Sequence, residues 1–247
     1  MMEDLLYQDT RLVALYDVLN AWDKDSDFYF GLANQHPAKI LDAGCGTGLL
    51  ATAYAGAGHD VVGIDPSAEM LSIARNRPNG QYVKWQQSTL QTFITHETFD
   101  FVVMTGHAFQ CLITDEAIKA AFCSVAACLK PHGTFVFETR NPKIHGWKRW
   151  TPEHSKSQKT APDGQCFEFF HEVLEVNDET VLFETTYNLE AQSTPLQSRS
   201  VLRFASVEKI TSLTEQAGLK VDAVFGDWDR SVFYDHSPEI IMTLRLQ

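Results

Sequence analysis

The ten residues Lys39-Ile-Leu-Asp-Ala-Gly-Cys-Gly-Thr-Gly48 constrain this chain more than any others, because an apolar run ends there in an acid and three alternating glycines. Ile40 and Leu41 suit the end of a buried strand. Gly44, Gly46 and Gly48 suit a turn whose backbone can approach a ligand closely, and Thr47, Leu49, Leu50, Ala53, Tyr54 and Ala57 follow with helical spacing. A strand, a glycine turn and a helix start together present unpaired N–H groups and the positive end of a helix dipole to an anionic group.

The surrounding pattern predicts an α/β fold. Strands at 38–43, 60–64, 82–85, 99–104 and 134–138 alternate with helices at 47–57, after Ser67 (Met70, Leu71, Ala74) and at 115–129 after Thr114, as in a parallel sheet with crossovers. Residues 140–165 are polar, hold Pro142, Pro152, Pro162 and Gly164, and read as a long loop or lid. Two alternating runs, 166–176 and 180–190, then predict a hairpin across Asn177-Asp178-Glu179, extended by a strand near 201–204. A last helix runs from Ser206 to the stop at Gly218, and strands near 219–226 and 239–246 return to the main sheet. The expected architecture is a Rossmann-like, doubly wound, mostly parallel seven-stranded sheet with an antiparallel β insertion, acting as a lid, after strand five. Its units are a helical cap over 1–37, a main domain over 38–139 and 205–247, and a substrate-covering insertion over 140–204. Residues 3–35 read as two short helices rich in aromatics, among them Tyr7, Tyr16, Trp22 and Tyr29, which suit packing or a flap over a ligand.

Composition narrows the partners. The chain is 44% hydrophobic, enough for a sizeable core, but its apolar runs are far too short to span a bilayer. Met1-Met2-Glu3-Asp4 is acidic where a signal peptide is basic, so a cytoplasmic location is expected. The five cysteines (45, 111, 123, 128 and 166) form no CxxC pair, which suggests neither a disulfide framework nor a metal site. A net charge of −12 argues against a nucleic-acid or anionic membrane surface and favours small molecules or proteins as partners. No residue pattern specifies an oligomeric state.

The glycine turn discriminates among ligands. A dinucleotide fingerprint requires glycine at the sixth position of the turn, which here is Leu49, and the Gly-Lys-Ser/Thr end of a phosphate loop is missing. Asp65, 23 residues after Asp42, stands at the end of the second strand, where an acid can accept both hydroxyls of a ribose. Together with Leu129-Lys130-Pro131-His132-Gly133 before strand five, these residues resemble the class I S-adenosylmethionine-dependent methyltransferases of small-molecule type, over roughly 38–139 and 206–246. The resemblance implies that Asp42, Gly44, Gly46 and Gly48 border the methionyl part of the cofactor S-adenosylmethionine. It implies that Asp65 and Pro66 lie at the ribose and that Met70 flanks the adenine. Where the family often has an acid after strand three, this chain has Gln87 and Ser88; the Gln87 amide oxygen can accept from the adenine amino group and the Ser88 N–H can donate to a ring nitrogen.

Methyl transfer from a sulfonium needs an in-line nucleophile, exclusion of water and sometimes a base. Residues after strand four should lie beside the methyl group: Thr105 against the cofactor, His107 as base or as a packed neutral imidazole, and Gln110 toward the acceptor. The nucleobase-type Asn/Asp-Pro-Pro-Tyr and the Pro-Cys of pyrimidine-carbon enzymes are both missing. Residues 140–159 hold six of the chain's 20 Lys and Arg, so Arg140 and Arg149, with Trp147 and Trp150, are expected either to grip a carboxylate or phosphate on the acceptor or to form a solvated loop; Tyr16 would cover it. The expected reaction is transfer to N or O of a small, possibly anionic molecule. A protein or RNA methyltransferase and a non-catalytic cofactor-binding module are the alternatives.

Overall fold

The computed structural model describes residues 4–33, 37–190 and 192–247. The chain opens with a 3-10 turn, Leu5–Tyr7, followed by α1 (Thr10–Val13), α2 (Tyr16–Leu19) and α3 (Lys24–Leu32). The two expected short helices are thus broken into four pieces, because Asp4, Asp9 and Asp23 each turn a carboxylate onto a following backbone N–H and restart the helix. The parts of that expectation covering residues 1–3 and 34–36 lie outside the described residues.

The α/β core follows as β1 (Lys39–Ala43), α4 (Leu49–Gly56), β2 (Asp60–Asp65), α5 (Ala68–Asn76), β3 (Val83–Gln87), β4 (Phe99–Met104), α6 (Asp115–Cys128) and β5 (Leu129–Arg140). Ser67 and Thr114 cap α5 and α6, accepting from Met70 N at 3.0 Å and Ala117 N at 3.1 Å. Strand β5 starts earlier than its apolar run suggests. Leu129 already pairs with Phe99, and Pro131 to Gly133 form an irregularity inside the strand before Thr134 resumes opposite Phe101.

Beyond β5 come α7 (Pro152–Ser155), β6 (Ser157–Thr160), β7 (Cys166–Asn177), β8 (Thr180–Leu189), β9 (Leu196–Arg203), α8 (Val207–Gln216), β10 (Leu219–Phe225) and β11 (Glu239–Leu246). The main sheet has seven strands in the order β10-β11-β5-β4-β1-β2-β3, parallel except where β11 runs antiparallel to both neighbours. Strands β6-β7-β8-β9 make a separate antiparallel sheet. The stretch 140–165, expected as loop, supplies the edge strand β6 of that sheet and two 3-10 turns. Its residues Ser-Gln-Lys-Thr are polar throughout, so no alternation marked them as a strand.

One apolar core lies on each face of the main sheet, one around Phe99, Phe122 and Phe137 and the other around Tyr29, Ile40, Tyr54 and Val103. A third cluster packs Leu12 and Leu15 of the N-terminal segment onto Phe167 and Tyr187 of the small sheet. The N-terminal segment is thereby wedged between the two sheets, above the carboxyl ends of β1, β2 and β4. Among the described residues, no helix is long and apolar enough to cross a membrane.

Candidate functional site at the carboxyl ends of β1, β2 and β4

The turn after β1 is held by its neighbour strand. The Ile64 carbonyl accepts from Gly44 N at 2.8 Å and Cys45 N at 3.0 Å, while Gly46 N donates to Asp65 Oδ2 at 2.9 Å. Gly44, Gly46 and Gly48 all have positive φ (75°, 53° and 77°), which L side chains rarely adopt. Gly48 is also sterically required: a Cβ there would lie 2.5 Å from Trp85 Cη2 and 2.9 Å from Ala74 Cβ. At Gly46 the nearest atoms belong to the Tyr16 ring, at 3.6 Å and beyond.

Two acids stand beneath this turn. Asp65 accepts from Gly46 N with one oxygen and from Ser67 N, at 2.8 Å, with the other. Burial raises its pKa, and these two N–H bonds oppose the rise. Asp42 is 1% exposed, and its Oδ1 has no hydrogen-bond partner among the described residues. Burial, reinforced by the Asp65 charge, pushes its carboxyl up to about 7.

The adenine-side expectations need one correction. The Ser88 N–H donates to the Asp65 carbonyl at 3.1 Å, so it is spent within the protein and not free for a ring nitrogen. Gln87 is exposed and donates through Nε2 to the Pro66 carbonyl at 2.9 Å, which leaves its amide oxygen outward. Met70 is fully buried under α5. Thr105 is partly buried just past β4, its carbonyl accepting from Ala108 N at 3.2 Å.

The N-terminal segment covers the turn as a strap. Ser67 Oγ donates to the Tyr7 carbonyl at 2.5 Å, Thr47 Oγ1 donates to Asp17 at 2.5 Å, and Arg77 pairs with Asp17 while its Nε donates to the Thr47 carbonyl at 3.0 Å. The rings of Tyr7 and Tyr16 lie 6.2 Å apart over the turn, and burial raises both phenol pKa values. On its other side the strap meets the small sheet, where Lys159 Nζ donates to the Val18 carbonyl at 2.7 Å and Ser200 Oγ to Asp4.

Opposite the turn lies a cluster of which the sequence disclosed only part. His107 has φ of 58°; its backbone N donates to Glu138 Oε1 at 2.5 Å and its Nε2 bonds Glu239 Oε2 at 2.9 Å. Tyr29 OH donates to the other oxygen of Glu138, which is 1% exposed. Arg140 NH1 donates to Gln110 Oε1 at 2.6 Å, and Gln110 Nε2 in turn donates to the Arg203 carbonyl at 2.9 Å. The Arg140 guanidinium also lies 5.7 Å from the Trp150 ring centroid, and burial draws its pKa below arginine's usual value. Cys111 is solvent-exposed, yet enclosure pushes its thiol up to about 11 and it senses Asp4, Asp65 and Arg140.

The basic cluster of 140–159 does not act as one patch. Lys143 pairs with Asp235 at 2.7 Å, Lys156 with Glu168 at 2.8 Å, and Lys159 holds the strap. Arg149 is exposed and makes no hydrogen bond or ion pair among the described residues, so it does not join Arg140. Trp147 packs against Phe204, ring centroids 4.4 Å apart, while Trp150 alone meets Arg140. Glu138, Glu239 and Tyr29 were missed; the one sequence signal for them was an acid ending the apolar run Phe135-Val136-Phe137.

Comparisons with known proteins agree with this architecture. Residues 40–133 match a family described as a methyltransferase domain. The chain is 35% identical over 118 residues to a ubiquinone biosynthesis O-methyltransferase of Actinobacillus pleuropneumoniae, covering 44% of this chain and 48% of the relative. It is 30% identical over 160 residues to the same-named protein of Idiomarina loihiensis, covering 56% and 64%. The matched region is thus about half to two-thirds of those relatives' length. An S-adenosylmethionine-dependent methyltransferase from Clostridium acetobutylicum superposes with a TM-score of 0.76 at 18% identity, over 96% of this chain and 98% of that one.

Proposed function

We propose that this chain, whose residues 40–133 match a methyltransferase domain, is a class I S-adenosylmethionine-dependent methyltransferase that transfers a methyl group from S-adenosylmethionine to a nitrogen or oxygen of a small, anionic acceptor. The bound cofactor supplies an electrophilic methyl on a cationic sulfur, so the protein's task is to hold, align and dry the reactants. The residues present fit that cofactor. Asp42 Oδ1, buried and unpartnered, would accept from its ammonium group; Gly44 and Gly46 leave room for its methionyl part, and Asp65 would take the ribose hydroxyls. Pro66, Met70, Gln87 and Thr105 would border the adenosyl and sulfur ends, with Ser88 contributing only through its hold on Asp65.

The observation that carries the acceptor class is Arg140. It is a partly buried cation whose only side-chain hydrogen bond among the described residues is to a neutral amide, and it makes no ion pair there, the charges of Glu239 and Glu138 acting on it only at longer range. A desolvated guanidinium is costly without an anion, and a carboxylate or phosphate on the acceptor would supply one in bidentate form. Strap, small sheet and main sheet close around this position, which suits a metabolite better than a polymer. His107 would accept the proton that the acceptor loses.

Calorimetry with S-adenosylmethionine, followed by a methyl-label screen of anionic metabolites against protein and RNA fractions, tests the proposal. Expected are saturable binding below millimolar concentration and label in an acidic small molecule. Lack of binding removes the cofactor assignment. Label only in macromolecules removes the small acceptor.

A further inference from the structure

We infer that Glu239 and Glu138 are positioning residues that fix His107 in one tautomer, with the proton on Nε2 and the lone pair on Nδ1 as the proton-accepting site; this rests on the reading of His107 as a base. Glu138 lies two residues before the end of β5 and Glu239 begins β11, and the antiparallel register sets Ile241 opposite Glu138 and Glu239 opposite Arg140. Both carboxylates therefore rise on the same face of the sheet, beside the turn that follows β4.

Each acid takes a different part of His107. Glu138 Oε1 accepts the backbone N–H at 2.5 Å, and Glu239 Oε2 meets the ring at Nε2, 2.9 Å away. His107 has positive φ, 58°, a costly conformation for a residue with a side chain, which the Glu138 bond helps to hold; Gly106 before it, at 66°, adopts such a φ freely. Ring and backbone are thus pinned by separate groups. A carboxylate accepts hydrogen bonds, so the ring nitrogen facing it carries the proton, and Nδ1 is left as the acceptor. Among the described residues Nδ1 has no hydrogen-bond partner, so no protein group competes for its lone pair.

The charged and titratable groups around His107 come from three elements. Glu138 lies on β5, with Arg140 two residues further, Glu239 lies on β11, and Tyr29 reaches in from α3 to donate to Glu138. His107 forms no bond to carbon in this step: the one proton that the acceptor heteroatom gives up passes to Nδ1.

Nitrogen-15 spectra of histidine-labelled protein, with His107→Asn used to assign the signal, read the tautomer directly. Neutral His107 is expected to be protonated at Nε2 in the full chain. Glu239→Gln keeps the shape but offers an amide that can donate as well as accept, so the ring is no longer held in one tautomer and kcat is expected to fall about tenfold or more with KM little changed. An unaltered melting temperature would separate this from misfolding. A wild-type ring protonated at Nδ1, or a kcat unmoved by Glu239→Gln, overturns the positioning role. Full turnover in His107→Ala instead overturns the base reading itself, and the tautomer spectrum distinguishes the two failures.

Discussion

Arg140 and Glu239 are direct cross-strand partners on β5 and β11, yet they form no ion pair. Arg140 turns to Gln110 at 2.6 Å and Glu239 turns to His107 at 2.9 Å. Opposite charges at facing positions ordinarily attract each other. Here each is held by a third group, so the cation stays available for a ligand anion and the acid for the imidazole.

The first prediction concerns that free cation. Arg140→Met should raise KM for the acidic acceptor about ten- to a hundredfold, the equivalent of losing a charge-assisted hydrogen bond of about 1.5–3 kcal/mol. Cofactor affinity, measured by calorimetry, should stay within about twofold. The melting temperature should not fall, because the substitution removes a desolvated charge along with its single hydrogen bond.

At the cofactor side, Asp65→Ala removes the acceptor for Gly46 N and Ser67 N together with the group assigned to the ribose. Calorimetry should show S-adenosylmethionine affinity falling by about two orders of magnitude or more. An unchanged dissociation constant would displace Asp65 from the site.

Gly48→Ala is expected to destabilise the fold by about 2 kcal/mol or more, since φ is 77° and the new methyl would meet Trp85 and Ala74. Chemical denaturation should detect it. Ala substitution of Gly164, also at positive φ but with nothing within 4 Å, should cost only the backbone strain.

Asp42 predicts a pH dependence with a definite sign. Its folded pKa, about 7, exceeds the usual carboxylate value, so between about pH 4 and 7 the folded state holds a proton that the unfolded state has released. Folding stability therefore falls as pH rises through this window, and the loss is complete above pH 7. Asp42→Asn should flatten the decline in melting temperature between pH 5 and pH 8 relative to wild type.

The strap yields a kinetic expectation. Asp17 alone links it to both Thr47 and Arg77 across the turn. Asp17→Ala should speed cofactor dissociation about tenfold in stopped-flow measurements, with little change in the cooperative unfolding of the sheet.

Much of the α/β core was legible because its signals are local. Ser67, Thr114 and Ser206 cap the helices where the pattern places them, and the glycine turn and Asp65 lie at adjoining strand ends. Strand β6 was not legible, since a polar edge strand has no alternation to reveal it, and the start of β5 was hidden by Pro131 and Gly133. The charge count over 140–159 suggested a concerted patch, but three of its lysines find partners elsewhere.

The sequence by itself determined the reagent. A strand ending in Asp42, a turn of three glycines and an acid at the next strand end are features within 24 residues of one another, and chain geometry alone brings them together. Tertiary structure decided the acceptor side. Glu138 and Arg140 lie on β5, Glu239 on β11 and His107 in the turn after β4, spread over more than a hundred residues of chain, and only the antiparallel return of β11 beside β5 places Glu239 against His107. No local periodicity encodes a contact of that range; it exists because the two strands share a hydrogen-bond register.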